Sequence, residues 1–220
     1  MSNAAGPAAS PAPAAASLLR VENLAVARGG RLVLAGVSFA LSGGQALVVT
    51  GRNGVGKSTL LRAIAGLLPR AGGAVALEGG QEETELPQQA HYLAHADGMK
   101  SALTVEENLA FWGDYLGRGD ARSRSVEDAL AVVGLGHALR APVVVLSAGQ
   151  KRRAALARLL VAFRPLWLLD EPMTALDKAS REKFAGAMGD HLARGGLIVA
   201  ATHEPLGLAH ARELSLEAAQ

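Results

Sequence analysis

The chain has 220 residues, half of them hydrophobic and 19% charged, with a formal net charge of +2 and no cysteine. That length supports one good core, or one domain with a small subdomain. The near-neutral charge without a dense Lys/Arg block argues against nucleic acid as partner; the lack of cysteine excludes a disulfide framework and a thiolate zinc site; and no apolar run reaches the ~18 residues of a membrane span.

Residues 1–17 are almost entirely Ala, Pro, Ser and Gly, a composition that predicts a disordered tail. A signal peptide is excluded by the missing basic n-region and leucine-rich h-region. Folding is expected to begin near Leu18. From there to Thr50 apolar residues alternate with polar or small ones: Leu19 and Val21, Leu24 and Val26, then Val37, Phe39 and Leu41. Gly29-Gly30 and Ser42-Gly43-Gly44 read as turns. The pattern predicts an antiparallel β-layer leading into Ala46-Leu47-Val48-Val49-Thr50, a short buried strand.

Gly51-Arg52-Asn53-Gly54-Val55-Gly56-Lys57-Ser58-Thr59 follows and fits G-x-x-x-x-G-K-[ST], the phosphate-binding loop. In a chain with 26 glycines a chance match is the competing reading, but a strand precedes this one and a helix, Leu60 to Gly66, follows it. Glycines let the backbone turn tightly and approach phosphate oxygens. The loop N–H groups and the helix N-terminus face the anion. Lys57 supplies a point charge to the β- and γ-phosphates, and the Ser58 hydroxyl is a ligand for Mg²⁺.

Ala74-Val75-Ala76-Leu77 predicts another strand, bounded by Gly72-Gly73 and Gly79-Gly80. From about 97 to 160 the pattern becomes helical and reads as a subdomain inserted in an α/β core. Thr104 and Glu107 form a capping box, and Val105, Leu109, Trp112 and Leu116 share one face. Trp112 and Tyr115 read as packing rather than as a cofactor site. Ser125 starts a further helix that Gly134 ends, and Leu146-Ser147-Ala148-Gly149-Gln150 opens one expected from Lys151 to Ala162. Leu166 to Leu169 is an apolar strand carrying Asp170 and Glu171 at its end. A helix is expected from Ser180 to Leu192, then a strand, Leu197 to Ala201, with Thr202 and His203 at its end. Strands alternating with helices argue a parallel sheet, with ligands at the strands' carboxyl ends. Asp170 is in the place of the Mg²⁺-binding acid of phosphate-loop enzymes, Glu171 is a candidate base toward attacking water, and His203, at a strand's end after Thr202, is a candidate functional histidine.

Leu146 to Gln150, about ninety residues after the phosphate loop and some twenty before Asp170, resembles the signature of ATP-binding-cassette (ABC) ATPases. Ala175-Leu176-Asp177 resembles that family's D-loop and Thr202-His203 its switch histidine. The resemblance spans residues 18–203 and implies one ATP-binding domain over 18–220, with ATP and Mg²⁺ as cofactors. It also implies a homodimer, or a pseudo-symmetric dimer, in which ATP lies between one phosphate loop and Ser147, Gly149 and Gln150 of the other subunit. In that arrangement Glu171 is the base, His203 touches the γ-phosphate and Asp177 couples the two sites. Two positions depart from the pattern. Ala96, beside His95, stands where the family has a glutamine. Arg28 stands where it has an adenine-stacking aromatic, although a guanidinium can also stack on a base.

Within the family, Tyr92 to Lys100, Glu107 to Trp112, Leu146 to Leu160 and Pro165 to Pro172 resemble the ATP-binding subunits of haem exporters of cytochrome c biogenesis. What this implies is a peripheral protein on the cytoplasmic face of the bacterial inner membrane, docked on integral membrane subunits. An ABC ATPase for another substrate, a soluble non-transport ABC protein and a nucleotide-gated module with little turnover stay open as alternatives.

Overall fold

The structure, a computed structural model, describes residues 17–79, 84–117 and 119–217. The tail expected over residues 1–17 therefore lies almost wholly outside the described residues, as does Gly80 of the expected Gly79-Gly80 turn.

Two sheets make the frame. In the first, β1 (Leu18–Arg28) lies between β2 (Arg31–Ser42) and β4 (Gly72–Glu78), both antiparallel to it. The β1–β2 loop is Gly29-Gly30 alone, with φ of 55° and 76°, the two positive values that a tight hairpin with the right twist requires. Leu19 and Val21 are buried on one face of β1. Leu24, three residues on, would fall on the other face, but a register shift at Asn23 (φ 48°) returns it to the core.

The second sheet holds β3 (Ala46–Thr50), β5 (Ala90–Leu93), β6 (Leu166–Asp170), β7 (Leu197–Ala201) and β8 (Arg212–Ser215) in the order β5-β6-β7-β3-β8, with parallel pairings throughout. β6 and β7 are buried at every residue, as continuous apolar strands between two covered faces are. Alternate residues of β6 serve different cores. Leu166 and Leu168 face the antiparallel layer and α1 (Lys57–Ile64), whereas Trp167 and Leu169 face the helical side. There Trp167 stacks on His191 with centroids 4.1 Å apart and on Phe184 at 6.4 Å.

The helical side comprises α2 (Val105–Leu116), α3 (Val126–Val132), α4 (Ala148–Val161) and α5 (Lys178–Ala193). α4 is buried from Ala154 to Val161 and joins α2 and α3 to the sheet. The expected capping box is present, with Thr104 and Glu107 exchanging side-chain and backbone hydrogen bonds.

Three expectations need correction, and two strands were not expected. α4 begins at Ala148 rather than Lys151, because Ser147 and Gln150 form a second capping box one turn earlier. α5 begins at Lys178 rather than Ser180, because Asp177 is its cap. Tyr115 is not a packing residue: it is 72% exposed, stacked on a half-exposed Phe111. Finally β5 and β8 carry no sequence signal strong enough to place them, being four residues each and, in β8, mostly polar and exposed.

Candidate functional site

Residues 51–56 connect β3 to α1 and carry the phosphate-loop motif. Gly51, Gly54 and Gly56 adopt φ of 133°, 81° and 115°, a region closed to most side chains. Two of them are also fixed by their own chain. A Cβ on Gly51 would lie 2.6 Å from the Leu216 carbonyl oxygen, and one on Gly56 would lie 2.8 Å from Leu34 Cδ2. The loop is thus held between β2 on one side and the segment after β8 on the other. Arg52 and Asn53 are exposed at its tip, Val55 and Ser58 are half-buried, and Thr59 is buried.

Lys57 is buried and its ammonium donates to the carbonyls of Gly51 (2.7 Å) and Arg52 (3.4 Å), with His203 Nε2 at 2.9 Å. The ammonium thus has two loop carbonyls and one imidazole as partners. His203 Nε2 also lies 3.0 Å from Asn53 Oδ1. An ammonium only donates, so Nε2 accepts from Lys57 in the neutral ring; it donates to Asn53 only as the other tautomer or as the cation. His203 sits just past β7, exposed, after a buried Thr202 whose hydroxyl accepts from the Glu204 N–H at 3.0 Å. The chain thereby brings together Gly51–Thr59 and His203, residues that are about 150 positions apart.

Asp170 ends β6 and is 5% exposed. Its Oδ2 accepts from the Tyr92 hydroxyl at 3.5 Å, and Tyr92 in turn accepts from Arg62 Nε at 3.1 Å. Burial pushes the Tyr92 phenol above its ordinary pKa, which keeps it a neutral donor toward the carboxylate. Glu171 is half-buried, left-handed at φ 47°, with its N–H donating to the Ala201 carbonyl at 2.8 Å. The carbonyls of both acids are held by Arg152, whose Nη2 donates to Asp170 O at 3.0 Å and Glu171 O at 2.6 Å.

The signature residues lie apart from this group. Ser147 and Gln150 satisfy each other in the cap of α4, and among the described residues no hydrogen bond joins them to the phosphate loop. Gly149 is a close-approach position: a Cβ there would lie 2.9 Å from the carbonyl of Ala175, itself left-handed at φ 63°. Asp177 is exposed and caps α5, where the Ser180 N–H holds its carboxyl below the usual range. Arg28 is exposed at the end of β1, in the layer whose β2 residues Val33 and Leu34 touch Gly56. Tyr92, Arg62 and Arg152 escape a motif reading. Only the helical register of 152, 155, 156 and 159, all buried, marks Arg152 as a charge on a core face.

Ser58 and Asp170 offer a hydroxyl and a carboxylate, hard oxygen donors of the kind Mg²⁺ takes when water and phosphate complete its shell. Among the described residues no group of three or more His, Asp or Glu gathers as a self-sufficient metal site. The donor set therefore fits a metal carried in with phosphate rather than one resident in a protein cage.

A parallel sheet flanked by helices, a phosphate loop after β3 and paired acids at the end of β6 define a phosphate-loop nucleoside triphosphatase core with an added antiparallel layer. The family profile described as ABC transporter matches residues 34–174, and the chain belongs to that family, as an ATP-hydrolysing subunit of an ABC system. It is 57% identical over 189 residues to the "Cytochrome c biogenesis ATP-binding export protein CcmA" of Bradyrhizobium diazoefficiens, covering 86% of this chain and 92% of the relative. Proteins of the same name from Mesorhizobium japonicum (59% identical, 86% and 94% covered) and Chelativorans sp. (55%, 91% and 98%) are similar to it as well. Among solved structures, one described as "Structure of ATP binding subunit of ABC transporter" superposes with a TM-score of 0.77 at 27% identity, covering 84% of this chain and 79% of that one. A bacterial Atm1-family ABC exporter with ATP bound gives the same TM-score at 23% identity, with 97% of this chain on 39% of that one, and shares the fold. No helix among the described residues is long and apolar enough to cross a membrane.

Proposed function

We propose that the chain hydrolyses ATP to drive a membrane complex serving cytochrome c biogenesis by exporting haem, from the cytoplasmic face of the bacterial inner membrane. The contact of His203 with Lys57 and Asn53 is the observation that carries the hydrolytic part. It ties the end of β7 to the phosphate loop, beside the acids that end β6. The biological part rests on the high identity to cytochrome c biogenesis export proteins along nearly their whole length.

In this reading the Gly51–Thr59 backbone receives the phosphates and Lys57 exchanges its carbonyl and imidazole partners for phosphate oxygens. Ser58 and Asp170 would hold Mg²⁺, which neutralises charge on the transferring phosphoryl group. Glu171 accepts the proton of the attacking water. Lys57 leaves His203 free to meet the γ-phosphate, so the switch histidine reports whether the loop is filled. Ser147, Gly149 and Gln150 close over a second subunit's nucleotide at the start of α4, where N–H groups favour an anion. Asp177 lies between the two sites, and Arg28 stacks on the base.

The helical subdomain of about 97–160 is the proposed docking region for the membrane subunits. Lys100 lies 5.1 Å from the Phe111 ring centroid, and Phe111 and Tyr115 present an exposed aromatic pair on α2. The test is Glu171→Gln in the native strain and in purified protein. Hydrolysis should be lost, ATP should trap a dimer visible by size-exclusion chromatography, and c-type cytochromes should disappear while b-type haem proteins persist. Normal covalent haem attachment alongside lost hydrolysis would leave an ABC ATPase for another substrate. Wild-type hydrolysis would remove Glu171 from catalysis.

A further inference from the structure

We propose that Arg152, on the second turn of α4, is the positioning residue that holds Glu171 in its catalytic conformation and ties it to the loop at 94–97. The inference rests on the reading of Glu171 as the base and says how that base is held.

Arg152 is 3% exposed, and its Nη1 pairs with Asp97 Oδ1 at 3.6 Å. Burial lowers its pKa, and the neighbouring acids Asp97, Asp170 and Glu171 act the other way. A guanidinium in such a place is costly unless its donors are used. Two of its three nitrogens are. Nη1 donates to the Ala94 carbonyl at 2.8 Å, just past β5, and Nη2 donates to the carbonyls of Asp170 and Glu171.

The Glu171 contact explains a backbone anomaly. In an extended strand successive carbonyls point to opposite sides. The carbonyls of Asp170 and Glu171 converge on one nitrogen because Glu171 leaves the strand at φ 47°. A left-handed non-glycine residue is strained and persists where its surroundings over-determine it. Here the Glu171 N–H donates to Ala201 O at 2.8 Å, and the Glu171 carbonyl accepts from the Thr174 N–H at 3.4 Å and, more closely, from Arg152 at 2.6 Å. The side chain of Glu171 therefore points where Arg152 sets its backbone. The same guanidinium reaches Ala94 and Asp97, and residue 96 between them is alanine, with no polar side chain of its own to reach the site. Arg152 is the side chain that spans this loop, the signature helix and the catalytic acid at once.

The test uses the full-length chain and single-turnover hydrolysis of ATP, with MgADP affinity by calorimetry as the binding readout. Arg152→Lys keeps the charge but cannot span three carbonyls. Its hydrolysis rate should fall at least tenfold, with MgADP affinity within twofold of wild type. Asp97→Asn should lower the rate about threefold at unchanged affinity; if Arg152→Lys does not fold, this variant alone decides. The double variant Arg152→Lys with Glu171→Gln should be no slower than Glu171→Gln, because one residue acts through the other. A wild-type rate in Arg152→Lys or in Asp97→Asn overturns the proposal while Glu171 stays the base. So does a further tenfold loss in the double variant, which would give Arg152 a path of its own. A wild-type rate in Glu171→Gln overturns the base reading first, and the proposal with it.

Discussion

Lowering the pH from 8 to 5 should cost this fold about 4 kcal/mol through two buried histidines. His91 is 3% exposed in β5, where its Nε2 lies 2.8 Å from the Ala162 carbonyl. Burial pushes its pKa down to about 3, with Arg158 and Arg164 acting in the same direction. His191, 4% exposed in α5 and stacked on Trp167, is pushed down to about 4 by burial, with Arg122 and Arg194 adding to it. Both are neutral when folded and titrate near 6.5 when unfolded, so between these values the unfolded chain binds more protons. Their stabilisation is present above pH 6.5 and is lost as pH falls toward the folded values. At pH 5 both folded rings remain neutral, so the loss is set by the unfolded side, about 1.5 pH units or roughly 2 kcal/mol for each ring. Against a typical stability of about 5–15 kcal/mol this is a large share. Urea unfolding followed by circular dichroism at pH 8 and pH 5 measures the drop. His91→Gln, which keeps a donor for Ala162, should show a drop about 2 kcal/mol smaller than wild type. An equal drop in both proteins, or wild-type stability that rises toward pH 5, would refute the reasoning.

Three further outcomes follow from the phosphate loop and the signature. Lys57→Ala should weaken ATP binding at least tenfold by calorimetry, since the buried charge of the loop is gone; unchanged affinity would mean that the loop is not the phosphate site. Gly56→Ala should likewise lose at least tenfold in ATP affinity, because its φ of 115° and the Leu34 methyl both exclude a Cβ. Wild-type affinity would show that the loop can relax. Ser147→Arg should bind ATP normally yet not hydrolyse it, and mixing it with Lys57→Ala should restore some activity, because one site of the mixed dimer carries neither defect. Full activity of Ser147→Arg alone would refute a nucleotide shared between subunits.

The sequence makes the phosphate loop, the paired acids and the general α/β order legible because each is a local pattern. Glycines at fixed spacing, a carboxylate after an apolar run and a capping box are all set within a few residues. The capping boxes at Thr104 and Ser147 also show the limit of that legibility: the first stands clear of any other motif, and the second lies inside one whose chemistry masks it. Tyr92 on Asp170, His203 on Lys57 and Arg152 on Glu171 span 78, 146 and 19 positions, and only the assembled sheet decides them. β8 was missed for the same reason. Its Arg-Glu-Leu-Ser has no apolar period, and what makes it a strand is the free edge of β3.

That edge has a consequence in time. β3, which carries the phosphate loop, is flanked by β7 and β8, whose residues follow it by nearly 150 positions or more. Ribosomes deliver chains from the N-terminus, so residues 46–59 emerge long before either neighbour exists. Until then this apolar strand has both edges open, the condition in which nascent chains recruit chaperones or associate wrongly. The loop is also unbraced in that interval, because Leu216 has yet to reach Gly51. Competence to hold a nucleotide should therefore arrive late in synthesis and all at once.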